Sequence, residues 1–380
     1  MRKLALIGLA TLLLTGHTTA PPQPDDACGQ PGQWLLPGSA QPRAWDALLT
    51  RLADSRAVLL GETHDSPADH RWQLHTLAAL HGRKPELAIG FEMFPRRLQP
   101  VLDEWVAGGM SEADFLKRAE WERVWGFDAQ MYLPLFHFAR MHRVPMLALN
   151  VERSLVSKVE EKGWAGVPDA DREGVSRPAP PSEAYRRELR QVYEHHPGSK
   201  SDAGFARFAE AQTVWDRAMA EGIAAYLKAR PGQLVVGILG AGHVRHGHGI
   251  AHQLADLGIG RVTNLVTWDQ SHSCADLGTG LADAVFVKTE DRGKPPPPRL
   301  GIAMEAHAQG VRILQVLAGS VAEQAGLKAD DILTMAAGRE MKDMRDVRTV
   351  IQRHAPGTWL PLKVRRGDAQ VELVARFPAD

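Results

Sequence analysis

The segment AVLLGETH (residues 57–64) is an apolar run that ends abruptly in ionisable side chains. Apolar residues on both alternating faces are typical of a strand buried within a parallel sheet. Four more segments have this character, namely LAIGFEM (87–93), VPMLALN (144–150), LVVGILG (234–240) and RVTNLVTW (261–268). The pattern therefore predicts a mainly parallel, buried sheet.

Helical spacing fills the chain between these strands, at residues 67–82, 98–107, 132–143, 205–229 and 245–257. Strands that alternate with helices predict an open α/β sheet, in a domain that we place at residues 40–288. The interval between the third and fourth strands is long, polar and broken by Pro and Gly. We interpret it as a helical insertion, at about 152–230, that forms the roof of a ligand site.

Polar side chains follow four of the predicted strands. Glu62 and His64 end the first, Glu92 the second, Asn150 the third, and His243 follows the fourth. Ligands of open α/β sheets bind beyond the carboxyl ends of the strands, so these side chains predict a site at that edge. A single such residue would be a helix cap or a solvated loop group, but four together favour a site.

The residue types at this edge suit two kinds of chemistry. Glu62, His64, Glu92 and His243 are candidate catalytic residues for acid/base work, and His64 and His243 are also candidate ligands for a divalent metal. The chain has no HExxH motif, no P-loop and no Gly-x-Ser-x-Gly elbow. In GAGHVR, Arg245 stands where a dinucleotide-binding motif has its third glycine, so a nucleotide site is disfavoured.

The overall charge and the N-terminus bear on partners and location. Lys+Arg and Asp+Glu both total 45 in 380 residues, which disfavours nucleic acid as a partner. Residues 1–20, with Arg2 and Lys3 before a short apolar run, are typical of a signal peptide and predict export to the periplasm or cell envelope. His17 stands where a lipoprotein has its acylated Cys, so a lipid anchor is not expected.

Two cysteines, Cys28 and Cys274, would remain after cleavage. In an oxidising compartment they can join the N-terminal arm to a late segment, and two unpaired thiols are the alternative.

The last part of the chain follows a proline-rich linker, TEDRGKPPPP (289–298). Residues 299–380, with RLGI, SVAEQAGLKADDIL and a closing strand pair around RRGD, resemble a bacterial PDZ domain of α+β type. The resemblance implies that Leu300, Gly301 and Ile302 bind the C-terminal carboxylate of a partner, or an extended peptide. A degenerate PDZ domain that only braces the chain is the alternative.

Histidines and tyrosines are also concentrated away from the strand ends. In HVRHGHGIAHQ, His248 and His252 share a helix face, as ligands of a metal or haem iron can, although surface histidines on a Gly-rich turn explain the run equally well. In YRRELRQVYEHH, Tyr185, Tyr193, His195 and His196 lie among arginines. A haem can take a Tyr or His ligand with Arg at its propionates; a solvated helix face is the alternative.

Five ordered blocks, LLGETH, GFEMF, YLPLFHFAR…VPMLALN, AQTVWDRAMAEGIAAYL and VVGILGAGHVRHGHGIAHQL, resemble the ChaN-like haem-binding uptake family over about residues 40–270. The resemblance implies an α/β core, envelope localisation, haem binding linked to iron acquisition, and a homodimer. It also implies that Glu62, His64, Glu92 and His243 form the polar site shared with the Tiki, TraB and erythromycin esterase proteins. Asp216 matches a recurrent position, and we group it with Asn150 as a candidate cofactor-binding residue.

Two hypotheses follow from the sequence. The first is an exported haem-binding protein whose PDZ domain recruits a protein partner. The second is a metal-dependent envelope hydrolase or peptidase in which Glu62 or Glu92 is the base. The family resemblance favours the first.

Overall fold

The computed structural model describes residues 28–195, 201–289, 298–352 and 354–379. The chain divides into two compact units, Met1–Asp291 and Arg292–Asp380, a division that falls within the predicted linker. The predicted signal peptide with His17, most of the linker, and His196 lie outside the described residues.

The first unit is built on an eight-stranded sheet. Its strands are β1 (Trp34–Leu36), β2 (Gln41–Arg43), β3 (Ala57–Glu62), β4 (Leu87–Pro95), β5 (Met146–Asn150), β6 (Leu234–Gly240), β7 (Val262–Asp269) and β8 (Ala284–Lys288). They lie in the order β2-β1-β8-β7-β3-β6-β4-β5. The six strands from β8 to β5 are parallel, whereas β1 and β2 form an antiparallel edge. The predicted mainly parallel α/β fold is confirmed.

Helices connect the parallel strands and cover both faces of the sheet. They are α1 (Trp45–Ala53), α2 (Pro67–Arg83), α3 (Gln99–Val106), α4 (Glu112–Arg118), α5 (Trp121–Val124), α6 (Ala129–His142), α7 (Arg153–Lys162), α8 (Glu183–His195), α9 (Asp202–Ala229) and α10 (Ile250–Asp256). None of the helices in the described part of the chain has the length and apolarity needed to cross a membrane.

Alternating residues of β3 enter two separate cores. Val58 and Leu60 pack with helices α1, α2, α3 and α6, while Ala57 and Leu59 pack with α9 and α10. Every residue of β3, β4 and β6 is buried, as expected for central parallel strands. Such strands leave only their ends for polar side chains.

The region between β5 and β6 is helical, as predicted for the insertion. It consists of α7, α8, α9 and the extended segment 172–182, and we call residues 152–230 the cap. The N-terminus of the 28-residue α9 is capped by Ser201, whose hydroxyl accepts a hydrogen bond from the backbone N–H of Gly204.

Cys28 and Cys274 form a disulfide bond. It joins the start of the described chain to the segment that follows β7, across a sequence separation of 246 residues. Of the two alternatives left by the sequence, the structure has the bonded pair.

The second unit is an antiparallel sheet with two helices. Its strands are β9 (Ile302–His307), β10 (Gly310–Val316), β11 (Ile332–Ala336), β12 (Arg339–Glu340), β13 (Trp359–Arg366) and β14 (Ala369–Arg376), and its helices are α11 (Val321–Gln324) and α12 (Met344–Gln352). The strand order is β14-β13-β11-β10-β9, with β12 beside β11. In the described residues β9 pairs only with β10, so its other edge is open to a further strand.

Candidate functional site

Three neighbouring parallel strands bring carboxylates and an imidazole to one edge of the sheet. Glu62 is the last residue of β3, Glu92 lies in β4, and His243 follows β6. Because β6 runs between β3 and β4 and its Gly240 pairs with Glu62, these ends meet. The structure thus brings the four predicted catalytic residues, including His64, into one cluster.

Glu62 is the anionic centre of one half of this cluster. Its Oε1 accepts hydrogen bonds from His64 Nδ1 over 3.0 Å and from the Tyr132 hydroxyl over 2.9 Å. Its Oε2 lies 3.2 Å from His70 Nδ1. Burial alone would raise the pKa of Glu62, but bonding and charge from His64 and His70 outweigh it and lower the pKa to about 2. Glu62 is therefore suited to orienting His64 and not to accepting a proton near neutral pH.

His70 has oxygen acceptors at both ring nitrogens. Nδ1 lies 3.2 Å from both Glu62 Oε2 and Gln73 Oε1, and Nε2 lies 3.1 Å from the carbonyl oxygen of His64. Burial disfavours the charged ring, but the bonds and charge of Glu62 prevail and raise the pKa of His70. A ring that donates at both nitrogens is the imidazolium form. His70 therefore holds Glu62 and the backbone of His64 in place.

His243 is the centre of the other half. Its Nδ1 donates to Asp216 Oδ1 over 2.6 Å, and its Nε2 lies 3.6 Å from Glu92 Oε1. The second oxygen of Asp216 accepts from the Tyr185 hydroxyl over 2.8 Å. Although burial lowers it, the charges of Glu92 and Asp216 raise the pKa of His243 to about 9. His243 is thus an imidazolium at neutral pH.

Glycine at position 240 allows the two halves to meet. Glu92 Oε2 accepts the Gly240 backbone N–H over 2.5 Å. A Cβ atom at Gly240 would lie 2.8 Å from His64 Cε1 and 3.4 Å from Glu92 Oε2. The His64 ring therefore occupies the space that a side chain on β6 would fill.

The turn that carries His64 is held by a buried carboxylate. Asp69 accepts the Thr63 backbone N–H over 2.7 Å and the Lys288 ammonium over 2.9 Å. Lys288 also donates to Ser66, the N-cap of α2, over 3.1 Å. The turn is thereby fixed to both α2 and β8.

A cavity of about 680 Å³ lies beside this cluster, between the end of the sheet and the cap. Apolar and aromatic side chains form much of its wall, namely Met93, Val151, Val156, Trp125, Trp215 and Phe208. The wall also includes Tyr193 and charged side chains of both signs, Arg123, Arg153, Glu152 and Glu160. The volume is within the range of small-molecule and cofactor pockets.

Two tryptophans belong to both the cavity and the cluster. Trp125 packs edge-on against His64, with ring centroids 4.7 Å apart, and Trp215 packs edge-on against His243 at 5.3 Å. Both indoles also line the cavity. A ligand in the cavity would therefore touch the side chains that cover the two histidines.

Tyr193 lies in the cavity wall on the last turns of α8. Its ring packs against Phe205 and Phe208 of α9, with centroids 5.8 and 5.5 Å away. Its hydroxyl lies 2.4 Å from the position that a Cβ of Gly204 would take. The phenol oxygen is therefore seated against the first turn of α9.

The candidate cofactor-binding residues lie in different places. Asn150 lines the cavity and donates to the Glu92 carbonyl oxygen over 2.7 Å. Tyr185 and Asp216 are bonded to each other in the buried cluster. His195 is exposed, and its Nδ1 donates to the Gln191 carbonyl oxygen of its own helix. A role for any of them in binding a cofactor stays a prediction.

The predicted divalent-metal site finds no support in the geometry. Among the residues that the structure describes, no group of three or more His, Cys, Asp or Glu side chains is arranged to hold a metal ion. His64 and His243 each direct Nδ1 to a carboxylate.

Four residues of this region are absent from the sequence-based prediction: His70, Tyr132, Trp125 and Trp215. His70 stands in the same LLGETHDSPADH stretch as His64, and this proximity was the signal available in the sequence. Tyr193 was noted beside Tyr185 in the cap segment but was not selected as a cofactor-binding residue. The indoles and Tyr132 join the site only through tertiary packing.

In the second unit, the predicted peptide-binding loop precedes the open strand β9. The carbonyl oxygens of Leu300 and Gly301 accept from Ala322 N over 2.8 Å and from Leu317 N over 2.9 Å. Gly301 has φ +82°, and a Cβ there would lie 2.3 Å from Cβ of Ser320. Glycine is therefore required by the loop's own packing, and not only by the approach of a ligand as expected.

A family model described as haem-binding uptake, Tiki superfamily, ChaN matches residues 48–254. The chain belongs to this family. A PDZ-domain model matches residues 298–375, so this ChaN-like protein also contains a PDZ domain. No curated protein matches it significantly.

The chain is also similar to several solved structures. The chain is similar to ChaN of Campylobacter jejuni, solved with cofacial haem, at 16 % identity and a TM-score of 0.53, over 68 % of this chain and 96 % of that one. This likeness shows a shared fold. The HtrA3 PDZ domain bound to a phage-derived ligand matches 20 % of this chain and 82 % of its own at 22 % identity, with a TM-score of 0.19. The HtrA-type protease AlgW with a decapeptide matches 28 % of this chain and 39 % of its own, at 18 % identity and a TM-score of 0.22.

Proposed function

We propose that this chain is an exported protein that binds haem between its sheet and its cap and recruits a partner through its PDZ domain. The observation that carries the proposal is the aromatic cavity of about 680 Å³ with Tyr193 in its wall. Membership of the ChaN-like haem-binding family supports it. Bound haem would supply a redox-active, ligand-binding iron.

The residues of the cavity suit a porphyrin. Apolar and aromatic side chains form much of the wall, as a macrocycle requires, and Trp125 and Trp215 offer flat faces. Arg153 offers a guanidinium group that can pair with a carboxylate such as a haem propionate, whereas Arg123 is already paired with Glu120. The cavity thus combines an apolar interior with groups of both charges, since Glu152 and Glu160 also line it.

Tyr193 is the residue of this wall that we assign to the iron. Tyrosine is an established axial ligand of haem iron. Its hydroxyl lies beside the first turn of the 28-residue α9. The Tyr185 hydroxyl donates a hydrogen bond to Asp216 within the buried cluster.

Hemin titration, followed by the Soret band, tests the proposal. Wild type should saturate at micromolar hemin, and Tyr193→Phe should weaken binding at least tenfold and change the ferric spectrum. His195→Ala, on the same helix but exposed, is the matched control and should bind as wild type does. No saturable Soret shift in wild type would refute haem binding. If Tyr185→Phe loses hemin affinity while Tyr193→Phe binds hemin normally, the iron ligand is Tyr185 and not Tyr193.

The proposed export agrees with the Cys28–Cys274 disulfide, since disulfides persist in oxidising compartments. A role in iron or haem acquisition and a homodimer are part of the proposal. Light scattering of the mature protein with and without hemin tests the dimer, and growth on haem as iron source tests acquisition. Peptides ending in a free or amidated carboxyl group test the PDZ domain, because only the free form can use the loop at Gly301.

A second candidate function is acid/base hydrolysis at the sheet edge. It is favoured by two imidazoles, His64 and His243, each held through Nδ1 by a carboxylate, as in hydrolytic sites. In this arrangement His243 would donate a proton to the leaving group, and Glu92 would take one from the attacking water. The earlier assignment of Glu62 as a base gives way to an orienting role.

Assays with ester and peptide substrates test this second function. Glu92→Gln and His243→Gln should each reduce hydrolysis at least a hundredfold while hemin affinity stays within about threefold of wild type. If hydrolysis survives both changes, the cluster is structural.

A further inference from the structure

All four histidines of HVRHGHGIAHQ (243–253) contact the cap. His243 bonds to Asp216 of α9. His246 and His248 face Glu188 of α8, and His252 Nε2 donates to the carbonyl oxygen of Pro180 over 2.9 Å. The histidine run that the sequence left unassigned is therefore the surface on which the cap docks.

Glu188 serves two imidazoles at once. Its Oε1 lies 3.1 Å from His248 Nδ1 and 3.8 Å from His246 Nε2. The two imidazole rings are stacked, with centroids 5.3 Å apart and planes 24° from parallel. Side-chain exposure is 38 % for Glu188, 33 % for His246 and 22 % for His248, so the cluster is partly open to solvent. His248 Nδ1 itself is buried, and its contact with Glu188 lacks hydrogen-bond geometry.

Among the residues that the structure describes, no second carboxylate is paired with either ring of this cluster. From α8, the Tyr185 ring approaches His248 with centroids 5.9 Å apart. From the segment before β8, the Leu281 carbonyl oxygen accepts the His246 backbone N–H over 2.8 Å. From β7, the Asn264 side-chain amide lies near Gly247. Glu188 is the carboxylate that contacts the two rings, and Arg245 beside them is exposed.

We propose that Glu188, His246 and His248 form a pH-sensitive clasp that holds α8 more firmly to the β6–α10 segment in mildly acidic solution. Histidine gains its charge between neutral and mildly acidic pH, and an imidazolium attracts a carboxylate more strongly than a neutral ring does. Without Glu188, two charged rings 5.3 Å apart repel each other, and acid loosens the same contact.

Two further polar contacts join α8 to α9, namely Tyr185 with Asp216 and Arg190 with Asp202. Tyr185 donates to Asp216, whose partner His243 has its pKa raised by Glu92 and Asp216 to about 9 despite burial. We therefore expect the Tyr185–Asp216 contact to stay the same between pH 5.5 and 7.5. A pH-dependent change in the hydrogen exchange of α8 that Glu188→Gln alters is assigned to the clasp.

The clasp regulates the cavity because Tyr193 is on the same helix, five residues and about 7.5 Å beyond Glu188. This consequence rests on the proposed haem site. A tighter α8 in mild acid should slow the release of hemin, and a looser one should speed it.

Hydrogen exchange of the full chain without hemin tests the clasp independently of haem. Exchange of residues 183–195 is compared between Glu188→Gln and wild type at the same pH. The variant-to-wild-type rate ratio should be about threefold larger at pH 5.5 than at pH 7.5. Glu194→Gln, the same change at an exposed position of α8, should keep the ratio near one. His248→Gln should make the exchange of these residues less dependent on pH than in wild type. It should not show the faster exchange in acid that we expect for Glu188→Gln.

Equal ratios for Glu188→Gln at both pH values would overturn the clasp. Hemin release to excess apomyoglobin then tests the link to the cavity: Glu188→Gln should release hemin about threefold faster at pH 5.5 than wild type, with little difference at pH 7.5. A wild type that never binds hemin refutes the proposed function but leaves the exchange result standing. If hydrogen exchange behaves as predicted but Glu188→Gln releases hemin at the wild-type rate, only the link between the clasp and the cavity is refuted.

Discussion

The Asp216 carboxylate lies 2.6 Å from Nδ1 of His243, and both side chains are buried. Asp216 comes from the cap and His243 from the end of a central strand, so this pair joins the cap to the sheet. The charge state of the Asp216–His243 pair should therefore affect the free energy of unfolding of the first unit.

The stability of the protein should fall above neutral pH because of His243. Despite burial, Glu92 and Asp216 raise its pKa from 6.5 to about 9. The charged ring thus stabilises the fold fully below pH 6.5, and that contribution is lost as pH rises through 9. The free energy of unfolding in urea should drop by roughly 2–3 kcal/mol more in wild type than in His243→Gln between pH 6 and 9. An equal pH dependence of the free energy of unfolding in wild type and His243→Gln would contradict the assignment. His64 and His70, whose pKa values are also raised, should leave some pH dependence in both proteins.

Gly240→Ala should displace His64. The new Cβ would lie 2.8 Å from His64 Cε1, so the ring must move and weaken its bond to Glu62. We expect a stability loss of about 1–3 kcal/mol and a fall in the pKa of His64, measured by NMR titration. Gly242→Ala, where nothing lies within 4 Å of the added Cβ, is the control. An unchanged His64 titration in Gly240→Ala would show that the ring is placed elsewhere.

Removing the disulfide should destabilise the first unit. The bond closes a loop with a sequence separation of 246 residues, for which the chain-entropy model gives on the order of 5 kcal/mol. Cys28→Ser with Cys274→Ser should lower the melting temperature measured by calorimetry. Reductant should lower that of wild type and leave the double variant unchanged. Insensitivity of wild type to reductant would mean that the thiols are unpaired in solution.

Gly301→Ala should disable the PDZ loop. The residue has φ +82°, and its Cβ would meet Ser320 at 2.3 Å, so the loop that precedes β9 must rearrange. Affinity for a C-terminal peptide, measured by fluorescence anisotropy, should fall at least tenfold. Gly319→Ala has a similar φ of +73° but open space around the Cβ, and it should lose much less affinity. Equal losses in both variants would assign the effect to backbone strain alone.

The sequence was sufficient to predict the central architecture. The five predicted strands are β3 to β7 in the structure. They could be predicted because short continuous apolar runs such as AVLLGE are typical of buried strands. The short strands β1 and β2, of three residues each, have no periodicity to detect. Convergence of Glu62, Glu92 and His243 followed from the rule that parallel strands end at one edge.

The partners of those residues could not be predicted in the same way. Tyr132, on α6, reaches Glu62 from 70 residues away, and Trp215 covers His243 from α9. Both contacts depend on how helices pack, which local pattern does not specify. Tyr185 was predicted as a cofactor ligand because arginines lie near it in the sequence, whereas in the structure its hydroxyl donates to Asp216.

Helix α9 contributes to both parts of the site. Gly204 and Phe208 border the cavity, and Asp216, twelve residues and about 18 Å beyond Gly204 along one continuous helix, holds His243. A helix resists bending far more than it resists sliding or turning as a body. A ligand that displaces the first turns of α9 must therefore also move the Asp216 carboxylate, and the protonation of His243 becomes a spectroscopic reporter of cavity occupancy.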